Sequence, residues 1–508
     1  MIRRAHLIKT LFCFIISGWI CYPLHSQDTT AMMLSGQIEP ENLKIHVFIL
    51  SADSLEGRAT GTSGQKKAAS YIEGFFESLG LNAPVKGESP AYRQSFVIEM
   101  KTTVSGEITA GNKKFSYPDE FVTMPDGALQ SEAISMDVIF AGYGDSLDYR
   151  DLDVKNKSVM IFFEGDSRER RKRIRIGQNF GARNFIFLFS DNKGSFTGWV
   201  SGFKYFLEQP VVQLSSDPEP FRKTHVLYMA PETGAEVIGI KLQKLKALVD
   251  KNKRSPKNSY RKIKPARIDF NLIVSSNEVI TENIAGIVPG TEFPGEVVVV
   301  SAHYDHIGKV DTLIYHGADD NASGTAAIME LARVFSKAKS LGLGPKRTVL
   351  FLAFTGEEKG LMGSEYYSTN PLFPLDRTVA DFNIDMIGRI DQKHEGNPRY
   401  VYLIGSDKIS KELHSISEEC NKIYSGLELD YTYNDENDPQ RFYYRSDHYN
   451  FAKNNIPVIF YFTGVHKDYH TPADTADKID YDKMAAIVKL IFHTVWEVSN
   501  SEDRLEKD

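Results

Sequence analysis

A chain of 508 residues and 57.3 kDa is too long for one ordinary hydrophobic core, so more than one domain is expected. Hydrophobic residues at 42% and charged residues at 25% are the proportions of a globular protein, which excludes a disordered or fibrous chain. The net charge of −7 and pI near 6.1 argue against a global nucleic-acid binder.

The first residues place Arg3, Arg4 and Lys9 ahead of an apolar run from Leu11 to Ile20. That order is a secretory signal, and the run is too short for a stable membrane anchor. Residues 1–26 are therefore expected to be a signal peptide cleaved near Ser26-Gln27, leaving a periplasmic or extracellular protein. Lipidation at Cys21 is the alternative, but Gly18-Trp19-Ile20 matches the small-residue pattern of a lipobox poorly. Cys13 and Cys21 fall within the signal, so only Cys420 remains and no internal disulfide is available. Cys420, after Glu418-Glu419 on an expected helix, reads as a structural cysteine.

Thr62 or Ser63 can cap a helix whose apolar positions Ala68, Ala69, Ile72, Phe75, Phe76 and Leu79 keep a helical period, with Gly80 closing it. Arg58 beside it reads as an arginine that braces a loop. Residues 102–277 look like an insert between residues 27–101 and 278–508. Its strand candidates are Val138–Gly144, Val159–Phe163 and Asn184–Phe189, which predict a separate β-rich domain. Two basic clusters, Arg168–Arg175 and Lys241–Arg267, lack interleaved aromatic residues and read as solvated faces, so no nucleic-acid partner is expected.

After Ile280 four β-branched or aromatic runs follow: Val297–Val300, Arg347–Phe354, Val379–Ile384 and Pro457–Phe462. His303 and Asp305 stand at the end of the first, and Asp319-Asp320 precede the helix that starts after Ser323-Gly324. Glu357-Glu358, Asp385 and His470 follow the other three. Parallel strands would gather these groups at one sheet edge, where open α/β sheets place their ligands. Imidazole and carboxylate together suit Zn²⁺. Asp482–Ser499 repeats apolar residues at helical spacing and predicts a packing helix over the sheet.

The motifs HYDHIG, GADDNASG, FTGEEKGLMGS, NIDMIGR, SDH and YHTPADT, between Thr281 and Ser499, resemble the zinc exopeptidases with two co-catalytic metals, including bacterial secreted leucyl aminopeptidases. The resemblance implies an α/β fold with a mixed, mostly parallel sheet flanked by helices, and the insert resembles a protease-associated domain. It implies two zinc ions per chain, with Asp319 as the bridge, His303 and Asp385 completing one site, and Glu358 and His470 the other. It also implies a cis peptide at Asp319-Asp320. Asp305 would accept the free N–H of His303, and Glu357 would be the general base. Tyr443 or Tyr444 could add a phenol, whereas His306, His316, His448 and His466 are not counted as ligands. Peptides would be the substrates. A glutaminyl cyclase and a carboxypeptidase for acidic C-termini are the alternatives, the latter wanting an arginine cluster of which Arg389 and Arg445 are isolated candidates. The sequence leaves the oligomeric state open.

Overall fold

The computed structural model describes residues 28–87, 91–123, 129–189, 192–208, 210–215, 224–254 and 259–508. The expected signal peptide, with Cys13 and Cys21, lies outside them. Strand by strand, the β-branched runs form the expected core. Phe293–His303 lies between Arg347–Phe354 and Thr378–Ile384 and is parallel to both. Val458–Phe462 continues the parallel set beside Thr378–Ile384, and Tyr400–Ile404 closes against it antiparallel. The result is a mixed, mostly parallel sheet.

Strand side chains alternate between faces, and both faces are covered. Val298, Val300 and Ala302 pack with Phe335 of the Gly324–Ser340 helix and with Phe492 and Val495 of the Tyr481–Asn500 helix. Val297 and Val299 face the other way, into Tyr367 and Phe451 from the short helices Met362–Thr369 and His448–Ala452. Each such valine, fully removed from water, contributes about 1.5–3 kcal/mol. The helix expected after Thr62 spans Ser63–Ser78, with the Thr62 hydroxyl accepting from the Gln65 N–H and Gly80 in the left-handed region after it. Cys420 is buried at the end of the Lys411–Cys420 helix and is a free thiol. No helix among the described residues is long and apolar enough to cross a membrane.

Two long strands tie the insert to this sheet. Arg93–Ala110 runs antiparallel to Ala266–Val288 from Arg93 opposite Ile284 to Thr109 opposite Asp269. The end of Ala266–Val288 pairs with Arg347–Phe354, and its start pairs with Glu132–Phe140. One sheet therefore runs through both units, and the strands continue without interruption past Thr102 and Asn277. The insert adds the parallel strands Glu132–Phe140, Ser158–Phe163, Asn184–Phe189 and Val226–Met229. Expected to be β-rich, it also carries the helices Ser167–Asn179, Lys193–Glu208, Pro231–Ile238 and Leu242–Arg254. The basic clusters hid two of these helices, Ser167–Asn179 and Leu242–Arg254. Leu245 and Val249 keep a helical spacing and enter the core with Met160, Ile186 and Leu188, while Lys246 between them is exposed. Arg173 pairs with Asp145 and Glu169, and Arg170 donates to the Tyr228 hydroxyl at 3.0 Å.

Thr103 and Val274 face each other across the ribbon, so the insert leaves and returns at one place. Replacing residues 104–273 by a two-residue Asn-Gly turn should leave a cooperatively folding remainder. Its Tm should fall, because Phe96 and Ile98 lose Val212 and Leu214, which bury them. Circular dichroism through a thermal ramp reads both; an aggregated or non-cooperative product would contradict the account.

Candidate metal centre

Strand register decides which groups meet. His303, the last residue of its strand, pairs with Phe354, three residues before Glu357. Ser301 pairs with Asn383, so His303 stands level with Asp385, the first residue beyond Thr378–Ile384. The turn Ala318–Ser323 brings the double aspartate over these ends. Its closeness requires a glycine: a Cβ on Gly324 would lie 2.2 Å from the Ile384 carbonyl oxygen. Asn321 stitches turn to strand, donating to that carbonyl at 2.9 Å and accepting from the Gly324 N–H at 2.8 Å. The Asp474 carboxylate accepts the N–H groups of Asp319 (3.0 Å) and Asp320 (3.2 Å).

The Asp320 carboxylate lies between two imidazoles, with Oδ1 3.4 Å from His303 Nε2 and Oδ2 3.0 Å from His470 Nε2. On the His303 side, Asp385 Oδ1 is at 3.4 Å and Glu357 Oε2 at 3.9 Å. On the His470 side, Glu358 Oε2 is at 3.4 Å, and His306 Nδ1 is 2.7 Å from Glu358 Oε1. Side-chain exposure of Asp320, Glu357, Glu358 and Asp385 is only 5–12%. His303 Nδ1 is 3.1 Å from the Asp305 carbonyl. A carbonyl only accepts, so Nδ1 carries a proton and Nε2 is the ring nitrogen that faces the acids.

Whether this donor set fits a cation is answered by its orphaned atoms. Asp385 Oδ1, Glu358 Oε1 and both ring nitrogens of His306 are buried without hydrogen-bond partners. Buried polar atoms are normally paired, and four largely buried acids facing imidazoles want positive charge. Burial, with Glu358 and Asp385 adding to it and His303 opposing, pushes the Glu357 carboxyl well above the usual range. Burial works against charged His303, but Glu357, Asp385 and Asp320 outweigh it and hold its pKa well up. Nitrogen and carboxylate donors 3–4 Å apart are the set that Zn²⁺ takes. The residues fit.

The structure corrects the double aspartate by one residue. Asp319, expected to bridge, is turned away: Oδ1 accepts the Gly388 N–H at 2.6 Å and Oδ2 lies 3.4 Å from His466 Nε2. Asp320 takes the place between the imidazoles. The cis peptide is likewise one bond later, at Asp320-Asn321. Neighbouring side chains in such a turn point to opposite sides, and motif spacing cannot choose between two aspartates. His303, Glu358, Asp385 and His470 do converge, and Glu357 joins them. Asp305 is at hand, but its backbone carbonyl meets His303 while the carboxylate is 3.8 Å away. That carboxylate accepts the Glu357 N–H at 3.2 Å and the Thr60 hydroxyl at 2.7 Å.

The pocket beside the acids is walled by Met386, Phe442, Phe460, Phe462, Val465 and Tyr469, with Arg445 at its edge. Tyr443 and Tyr444 do not line it. The phenol that does is Tyr469, stacked on His470 with ring centroids 3.8 Å apart; its place next to His470 in YHTPADT was the available signal. Arg58 is buried and donates to the carbonyls of Leu50, Tyr304 (2.8 Å), His316 (2.7 Å) and Gly317 (3.0 Å), the bracing role expected of it.

Acids and imidazoles at the carboxyl ends of such a sheet are the arrangement of a zinc exopeptidase. Residues 283–495 match the model of Peptidase family M28, and a relative from Pyrenophora teres f. teres, 27% identical over 283 residues covering 48% of this chain and 55% of that protein, is named a probable zinc metalloprotease. The chain is 30% identical over 218 residues to the uncharacterized protein YfbL of Escherichia coli, covering 38% of this chain and 64% of that protein. It is 26% identical over 243 residues to aminopeptidase YwaD of Bacillus subtilis, covering 44% and 46%. The matches thus span less than two thirds of these relatives. An aminopeptidase from Aneurinibacillus sp. strain AM-1 shares the fold with a TM-score of 0.58 at 19% identity, over 94% of this chain and 98% of that one.

Exchanging the two aspartates separates their positions experimentally. Asp320→Asn should lose metal by elemental analysis of the purified protein. Asp319→Asn should keep it while unfolding more easily, by about 1–3 kcal/mol for a lost charge-assisted bond in the interior. The reverse pattern would return the bridge to Asp319.

Proposed function

We propose that the chain is an exported dizinc aminopeptidase that removes N-terminal residues from peptides. The observation that carries this reading is the Asp320 carboxylate, whose two oxygens face two separate imidazole–carboxylate sets. His303, Asp320 and Asp385 would hold one zinc, and Asp320, Glu358 and His470 the other. Zinc in this place supplies Lewis acidity to water and to the scissile carbonyl.

The remaining steps belong to the chain's own residues. Glu357 is fastened through its backbone N–H to Asp305, which aims its carboxylate at the His303 side of the cluster. It accepts the proton of the attacking water and passes it to the leaving amine. The Asp305 carbonyl keeps His303 in the tautomer whose Nε2 is free to bind metal. The apolar wall of Met386, Phe442, Phe460 and Phe462 takes an apolar N-terminal side chain and excludes water from the reacting bond. The acids beside it favour a protonated α-amino group at the entrance. Arg389 is held by Asp468 at 2.9 Å, leaving Arg445 as the guanidinium at the pocket, which is not the arginine cluster that recognition of acidic C-termini wants.

Peptides with an apolar first residue should be cleaved when their N-terminus is free and resist when it is acetylated. Glu357→Gln should fold and keep its zinc, with kcat down by about 10²–10⁴ and KM little changed, because the lost proton acceptor acts in the transition state. Steady-state kinetics with zinc quantified in the same samples decides this. A fully active Glu357→Gln protein, or cleavage indifferent to acetylation, would defeat the proposal.

A further inference from the structure

His306 is left over by the assignment above, although it is among the most buried residues near the centre. Its ring is fully buried and neither nitrogen has a hydrogen-bond partner. Nδ1 lies 2.7 Å from Glu358 Oε1, yet the pair lacks hydrogen-bond geometry and Glu358 Oε1 is itself unpartnered. Nδ1 is also 3.8 Å from Asp320 Oδ2, the oxygen that faces His470. Two donors bonded to one zinc at about 2.0–2.2 Å can be no more than about 4 Å apart. Both distances satisfy that limit. The ring is also confined, since a Cβ on Gly317 would come within 2.6 Å of it.

We propose that His306 is a fourth protein donor to the metal held by Asp320, Glu358 and His470. This rests on the two-zinc reading and makes the two sites unlike. The His306 site has four protein donors and so resembles a closed structural zinc site, whereas the His303 site has three and keeps a position open for substrate. The His306 site is therefore the tighter one, and the zinc of the His303 site is the first to leave under a chelator.

The test is stepwise zinc removal from the full chain by a graded chelator, with zinc quantified at each step, in wild type and in His306→Ala. Wild type should lose its two zinc ions at well-separated chelator concentrations. In His306→Ala the tighter Kd should weaken by more than about 100-fold, beyond the roughly 10–100-fold that follows loss of an outer-shell partner. A smaller effect, or none, in a protein with a wild-type circular dichroism spectrum overturns the assignment and leaves His306 as a neighbour of Glu358. If the variant does not fold, Co²⁺-loaded wild type gives the answer. Hyperfine-shifted ring protons from three histidines support the proposal, and from two contradict it. Wild type holding fewer than two zinc ions would instead defeat the two-zinc reading itself.

Discussion

Four carboxylates held almost out of reach of solvent are the constraint on which the rest of this structure depends. Water would separate such groups, and burial alone would protonate them. They stay together because their backbones or side chains are fastened from outside. Asp474 holds the N–H groups of Asp319 and Asp320, Asp305 holds that of Glu357, and Ser446 donates to Asp385 Oδ2 at 2.8 Å. Arg58 ties the segments around Leu50, Tyr304 and His316-Gly317 through four carbonyls. Burial lowers its pKa to about 10, opposed by Asp305 and Asp320, so at neutral pH it remains a cation under the acids.

Strain is concentrated at the same place. Met386, next to Asp385, has φ 57° and His470 has φ 54°. Non-glycine residues in this region cost on the order of 1–3 kcal/mol each and persist only where their surroundings impose the conformation. Here the Met386 carbonyl accepts from the N–H and hydroxyl of Thr463, both at 2.9 Å. The strand end carrying Asp385 is thereby bound to the loop that leads to His470. The long ribbon beside the site is stiffer than a linker would be. Because Ala266–Val288 belongs to both parts of the sheet, the insert is held to the peptidase domain by a continuous hydrogen-bonded ladder.

Much of this was legible in the chain. The parallel core could be read because valine and phenylalanine runs covered on both faces admit no other element of that length. The convergence of His303, Glu358, Asp385 and His470 followed from each standing at the end of a strand or in the loop that follows one. What could not be read was direction within a turn: Asp319 and Asp320 are chemically identical, and only backbone geometry sends one to the imidazoles and the other to Gly388. The same limit hid the function of the Asp305 carbonyl, since no side-chain pattern encodes a main-chain acceptor. In the insert, lysine and arginine runs masked helices whose apolar stripe is narrow, with Leu245 and Val249 carrying much of it in the Leu242–Arg254 helix.

The central claim is that one carboxylate, that of Asp320, joins two metal sites. Anomalous diffraction at the zinc edge from crystals of the zinc-loaded full chain tests it most directly. Two peaks about 3.5–4 Å apart, one beside each Asp320 oxygen, are the expected result. A single peak, or two peaks that share Asp319 instead, would contradict it.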